Sequence, residues 1–191
     1  MISGNTDKGN FSDSLYRQVM AEDFDALAPD LQHFHSLRGQ LTLHGRCTVK
    51  GPETMLGRCL GRLFSLPKAC AETSFMFELD ADSEQETWRR RFPGRTMASR
   101  MHVSAGRLVE QLGPVALHFA LSVTAGRLNM RLLRITCCGI ACPEFMIPAV
   151  LAEETGADGK LYFNVAAKLP RAGVLAQYHG YLDLRQVKSR P

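Results

Sequence analysis

Hydrophobic and polar residues alternate along the chain from residue 71 onward, in short segments that turn-forming residues separate. Nine segments follow this pattern: 74–81, 86–92, 96–104, 107–112, 115–123, 128–136, 147–154, 161–167 and 174–184. Alternation with a period of two is typical of strands with one buried face. The connections are short and rich in glycine, which predicts antiparallel neighbours, because a parallel crossover needs a dozen residues or more.

The chain before residue 71 mixes helical spacing with one more strand. Residues 40–51 alternate and predict that strand. The segment "ETMLGRCLGRLFSLP" places apolar residues at helical spacing before a proline, which predicts an amphipathic helix, and its Gly57 and Gly61 indicate close packing against a neighbour. Two short helices are predicted nearer the N-terminus, from Pro29 and from an apolar stripe of Leu15, Val19, Phe24 and Leu27.

These elements predict an α+β fold with N-terminal helices and a strongly curved antiparallel sheet or barrel of about eight to nine strands, because a sheet that long does not stay flat. We expect a lipocalin-like or helix-grip-like shape, although the long C-terminal helix of a helix grip is missing. Residues 1–10 are expected to be disordered and residues 11–191 to form a single domain. The pattern leaves open whether the sheet encloses a filled core or a cavity.

Composition and charge exclude some classes of function. The 191 residues are 45% hydrophobic and carry a net charge of +4, from 17 arginines and 6 lysines that are spread along the chain. No basic cluster favours nucleic acid as a partner. The polar start lacks the pattern of a secretory signal, and no apolar stretch suits a membrane span, so we expect a cytoplasmic protein. The oligomeric state stays open.

Six cysteines are expected to be thiols in that compartment. The run "CCGIAC" lacks the paired spacing of zinc sites and has no histidine nearby. We therefore predict no metal and expect these cysteines to be small buried residues. Motifs for nucleotide binding or hydrolysis are also missing, so no cofactor is predicted.

The candidate binding residues centre on "WRRRF". Trp88, Arg90 and Phe92 share one face of the predicted strand, and an arginine between aromatics can hold an anion or simply lie against them at the surface. Arg100, on the next strand, is the other arginine proposed for ligand binding. We expect the anionic group of any ligand to lie near Arg90.

Glu110 and Tyr178 are the candidate catalytic residues, and Tyr178 is also a candidate ligand contact. Glu110 shares its strand face with apolar residues, so a buried carboxylate there needs a partner, most simply an arginine. A structural Glu110–arginine pair is the alternative to a catalytic acid. Glu153 and Glu154 point to opposite faces and do not form an acid–base pair on one face.

The chain resembles the bacterial family named domain of unknown function 4166. The resemblance rests on "LYRQVMAEDFDAL", His35, "HGRCTVKG", "WRRRFPGR", "GRLVEQLGP", "CGIACPEFMIP", "GKLYFNVAAKLP" and "GVLAQYHGYL". Cys142 departs from it, since the family tends to have a proline there. Members of the family occur alone, as this chain is expected to, and also fused to saccharopine-dehydrogenase-like reductases, so the resemblance implies a possible reductase partner but no activity.

Three hypotheses follow. The first is a binding module for a small apolar or amphipathic molecule, such as an acidic lipid or a polyketide-like acid, inside the curved sheet. The second is a cofactor-independent cyclase or isomerase that uses an acid or base in the same cavity. The third is an interaction domain with a filled core that docks on reductases. The ligand and the existence of turnover stay open.

Overall fold

The structure is a computed structural model that describes residues 14–63, 66–170 and 173–189. The expected disorder of residues 1–10 lies outside the described residues. Ten antiparallel strands form a closed barrel, because β6 pairs with β7 and β1 pairs with the last strand, β11. The strand β8 pairs only with β7 and lies outside the closed ring.

The barrel strands follow the chain order around the ring, with β9 beside β7. Their bounds are β1 Gly39–Lys50, β2 Cys70–Ala81, β3 Gln85–Phe92, β4 Arg95–Ser104, β5 Arg107–Leu112, β6 Val115–Thr124, β7 Arg127–Cys137, β8 Ile140–Ala141, β9 Ala149–Ala157, β10 Lys160–Leu169 and β11 Gly173–Ser189. The prediction was a strongly curved antiparallel sheet or barrel; the barrel is confirmed, and the helices that accompany it are few. The number of strands is higher than the eight or nine predicted. The strand before residue 71, β1, is itself part of the closed ring, because it pairs with β11.

The N-terminal helices cover one end of the barrel. These are α1 (Leu15–Met20), a 3-10 helix (Ala21–Ala26) and α2 (Pro29–Phe34). The Ser14 side chain accepts a hydrogen bond from the Arg17 backbone N–H and so starts α1. Several of their apolar residues, among them Phe24 and Leu31, are completely buried. Each helix spans only six residues, so packing rather than intrinsic propensity holds it in place.

A glycine lets α2 lie close to the barrel wall. A Cβ at Gly156 in β9 would lie 2.7 Å from Cβ of Asp30, which is closer than real side chains approach. Asp30 also accepts a hydrogen bond from the Gly159 backbone N–H at 3.1 Å. These contacts fix the start of α2 against β9, and His35 follows the other end of this six-residue helix.

At the other end lie α3 (Met55–Leu63) and a 3-10 helix (Glu144–Met146). The predicted amphipathic helix is therefore present. The expectation that the cysteines of "CCGIAC" are buried is wrong: Cys137 and Cys138 are exposed and Cys142 is half-buried. They lie in the β7–β8 hairpin, whose turn projects outside the barrel. None of the helices in the part of the chain that the structure describes is long and apolar enough to cross a membrane.

Candidate functional site

The interior of the barrel contains a pocket of about 590 Å³. Alternating strand residues line it, because every second side chain of a barrel strand points inward. The segments 115–123 and 161–167, predicted from their alternation, both contribute apolar residues to its wall. These are Val115, Leu117 and Phe119 in β6, and Leu161, Phe163, Val165 and Ala167 in β10. Most of the remaining wall is also aliphatic or aromatic, so the polar residues that reach the pocket stand out.

Arg90 is buried in this wall, where its guanidinium contacts three side chains. Its guanidinium donates to Ser99 Oγ at 3.0 Å and to Glu110 Oε1 at 3.1 Å, and its carbon atom lies 4.8 Å from the centre of the Trp88 ring. Arg90 is 8% exposed. Burial works to lower the pKa of Arg90, but the adjacent Glu110 carboxylate, together with Tyr178 and Tyr16, outweighs it and holds the pKa above its usual value. Arg90 therefore stays charged, paired with Glu110.

Glu154 brings a second carboxylate to the pocket wall. His35 Nε2 and Glu154 Oε2 are 2.8 Å apart, and both side chains are buried. His35 follows α2 directly, so the docking of that helix on β9 sets this distance. Among the described residues, His35 Nδ1 has no hydrogen-bond partner. The histidine therefore holds the Glu154 carboxylate in place at the helix-covered end of the barrel.

Tyr16 lies behind this pair. Its ring centre is 3.7 Å from that of His35, and its buried hydroxyl finds no hydrogen-bond partner among the residues that the structure describes. Burial raises the pKa of Tyr16 well above its usual value, and Glu154, Glu86 and Glu110 raise it further. The hydroxyl thus keeps its proton, and Tyr16 packs against His35 as a neutral side chain.

Tyr178 reaches the pocket from β11. Burial raises its pKa to about 12, against the opposing effect of the Arg90 charge. Its ring lies 6.1 Å from that of Phe92 and 6.0 Å from that of Phe163. At neutral pH its hydroxyl is a protonated donor within a mainly apolar wall.

Glu86 is a further buried carboxylate, located behind the pocket wall. Trp88 Nε1 donates to Glu86 Oε2 at 2.9 Å, and Arg38 Nη1 lies 3.9 Å from the other oxygen. Burial raises the pKa of Glu86, although the hydrogen bond from Trp88 counteracts it. Its contact with Trp88 orients the indole ring that the Arg90 guanidinium covers.

The structure brings most of the predicted site residues together. Trp88, Arg90, Glu110 and Tyr178 line the pocket. Phe92 is buried behind the wall, 4.9 Å from the Phe75 ring, as measured between ring centres.

Arg100 is exposed on the outer face of β4, where it pairs in register with Gln111 of the next strand. It faces away from the pocket because Ser99 and Met101, its neighbours in β4, have the inward positions. We therefore leave Arg100 out of the site.

Sequence reasoning missed the Glu154–His35 contact. Glu154 lies two residues after Ala152, on the apolar face of β9, and this alternation is the signal that marks it as inward-pointing. His35 gives no comparable signal, because it lies 119 residues away and only the closed barrel places it beside Glu154. Within the described residues, no group of three or more His, Cys, Asp or Glu side chains is arranged to hold a metal ion.

These features define a closed antiparallel β-barrel with an apolar pocket and a small polar group in its wall. The chain belongs to the family described as domain of unknown function (DUF4166), whose model matches residues 27–182. The resemblance seen in the sequence is thereby confirmed. No curated protein matches the chain in sequence.

Two solved structures resemble this barrel distantly. One is a protein of unknown function of the DUF3598 family from Nostoc punctiforme, with a TM-score of 0.44 and 8% identity over 77% of this chain. The match spans 47% of that protein, about half its length. The other is Rv2717c from M. tuberculosis, with a TM-score of 0.41, 13% identity, and coverage of 82% of this chain and 98% of that one.

Proposed function

We propose that this protein binds a small apolar or amphipathic molecule inside the barrel. The observation that carries the proposal is the pocket of about 590 Å³, lined mainly by apolar side chains. Ligand sites typically enclose about 300–1,000 Å³, with apolar walls and a few placed polar groups. An interaction domain with a filled core would lack such a volume, so the pocket favours the binding module over a reductase-docking domain.

The polar groups favour a ligand with one hydrogen-bonding end. Arg90 and Tyr178 supply donors, and Glu110 and Glu154 supply acceptors. The guanidinium has five N–H donors, and its contacts with Ser99 and Glu110 leave donors to spare. The apolar part of the ligand would lie along the aliphatic and aromatic wall.

The charges favour a neutral polar end over an anion. Glu110 already occupies the position beside Arg90 that a ligand carboxylate would take. Glu154 adds a second carboxylate to the wall, so a third would meet like charges at low dielectric. An alcohol, an amide, an ester or a protonated acid avoids that repulsion.

Trp88 provides a direct test, because it is the only tryptophan of the chain and lines the pocket. We would titrate the protein with hexadecan-1-ol and follow Trp88 emission. We expect a saturable change in emission, which reports filling of the pocket next to the indole. No saturable change with any of a panel of apolar probes, from flat polycyclic to long-chain, would contradict the proposal.

The control is a pair of alanines in β10 that face opposite sides of the barrel wall. Ala167 lines the pocket, whereas Ala166 points outward and pairs in register with the exposed Leu151. Ala167→Phe should weaken probe binding by about tenfold or more, because the ring fills part of the pocket. Ala166→Phe should leave binding unchanged.

A cofactor-independent enzyme is the second candidate, and the Glu154–His35 contact favours it. A carboxylate held by histidine at a pocket wall is suited to remove a proton from a bound carbon acid. A molecule extracted from the purified protein would be returned to it in D2O. Deuterium uptake that Glu154→Gln abolishes would support turnover, and binding without uptake would leave the protein a binding module.

A further inference from the structure

Exposed apolar side chains surround the mouth of the pocket, at the end opposite the N-terminal helices. The exposed fractions are 75% for Met55, 58% for Leu56, 75% for Ile140 and 77% for Phe145. Leu56 and Phe145 also line the pocket itself, so this patch and the pocket opening coincide. We call these four residues the rim.

The exposure of the rim follows from how α3 is held. Its glycine face packs on the segment just before the helix: a Cβ at Gly57 would lie 2.9 Å from Cβ of Pro52. Arg95 Nη1 donates to the carbonyl oxygens of Gly61 and Leu66, at 2.9 and 3.1 Å, which anchors the end of the helix. The helix is thus fixed through glycines and backbone groups, and the apolar side chains of Met55 and Leu56 remain free for another surface.

Cations lie beside the rim. Arg58 and Arg62 are exposed on α3, and Lys68 is exposed just after it. Within the described chain, these three cations form no ion pair with an acidic side chain. The nearby Glu53 is bound to Lys50 at 2.9 Å, while Glu144 beside Phe145 is exposed.

We propose that the rim docks on the surface of an anionic lipid bilayer. Apolar side chains next to uncompensated cations are the combination that binds such surfaces, since the former enter the interface and the latter meet the lipid phosphates. The rim side chains come from three separate segments around an opening, a shape that a fluid bilayer accommodates. Docking depends on surface residues only; entry of a ligand from the bilayer would in addition require the proposed binding function.

The test is co-sedimentation with vesicles of equal parts phosphatidylglycerol and phosphatidylcholine, compared with phosphatidylcholine alone. We expect binding to the anionic vesicles that salt weakens, because exposed charges are screened. Leu56→Ser with Phe145→Ser, and separately Arg58→Gln with Arg62→Gln, should each lower the partition coefficient by about tenfold or more.

Matched controls lie on the outer barrel wall, where Leu151 is 51% exposed and pairs in register with the exposed Arg131. Leu151→Ser and Arg131→Gln should leave partitioning unchanged, and the pocket-filling Ala167→Phe should bind vesicles like the wild type. Failure of the wild type to bind anionic vesicles, or equal binding by the rim variants, would overturn docking. Failure of the wild type to bind any apolar probe, while it still binds vesicles, would instead count against the proposed function alone.

Discussion

At the scale of single residues, the central feature is the pair of the buried Arg90 and the largely buried Glu110. The sequence placed Arg90 between two aromatics and required an arginine for Glu110 if that carboxylate was buried. In the structure, Arg90 is the arginine that pairs with Glu110: Arg90 Nη2 and Glu110 Oε1 are 3.1 Å apart. Which arginine would pair with Glu110 could not be predicted, because β3 and β5 are not neighbours in the sheet and the contact crosses β4.

Breaking this pair should destabilise the fold. Arg90→Met leaves the Glu110 carboxylate without its cation in a mainly apolar wall, so we expect the free energy of unfolding to fall by about 3–5 kcal/mol. Urea denaturation measures this. The double variant Arg90→Met with Glu110→Leu removes both charges and should recover much of the loss, whereas additive losses in the double variant would show that the pair is not coupled.

Under the proposed binding function, the same pair sets which polar group of a ligand binds best. We expect hexadecan-1-ol to bind at least as tightly as ionised hexadecanoic acid, because Glu110 already compensates the charge of Arg90. Fluorescence titration of Trp88 above the pKa of the acid gives both affinities. An acid that binds about tenfold more tightly than the alcohol would mean that Arg90 exchanges Glu110 for the ligand carboxylate.

The raised pKa of Tyr178 leads us to expect that the folded protein loses stability in alkali. Its pKa rises from the usual 10.0 to about 12 in the folded state, so between these values the folded protein holds a proton that the unfolded chain has released. The free energy of unfolding should therefore fall as the pH rises above 10.0 and through this window. Urea denaturation at several alkaline pH values should show a smaller decline in Tyr178→Phe, and equal declines would contradict the assignment.

At the scale of elements, alternation identified the strands because every barrel strand has one inward face. The predicted inward rows of β6 and β10 became pocket wall. The same rule could not give the number of barrel strands, since closure depends on pairing β1 with β11 across more than a hundred residues. Alternation also gave no sign of β8, because a strand that lies outside the ring buries neither face.

Docking of α2 on β9 can be tested with one methyl group. Gly156→Ala should lower the free energy of unfolding by about 1–3 kcal/mol, because the new Cβ would lie 2.7 Å from Cβ of Asp30 and displace the helix. Gly61→Ala in α3 is the control. Its Cβ would meet no atom closer than 3.9 Å, so the higher helix propensity of alanine should make it neutral or stabilising by up to about 1 kcal/mol. Equal effects of both variants in thermal unfolding would contradict the packing.

At the scale of the whole molecule, the two ends of the barrel differ. The N-terminal helices cover one end and place His35 against Glu154, while the other end opens between α3 and the 3-10 helix Glu144–Met146. The barrel therefore has an open end with an apolar rim, and a pocket whose apolar wall contains a small polar group. This arrangement is suited to a molecule that enters through the rim with its polar end first.

Native mass spectrometry of the purified protein, followed by organic extraction, tests the binding function most directly. We expect a discrete small molecule that remains bound in the wild type, is released on denaturation and is reduced or lost in Ala167→Phe but not in Ala166→Phe. A mass equal to that of the polypeptide alone, together with no uptake of apolar probes by the wild type, would contradict the binding function.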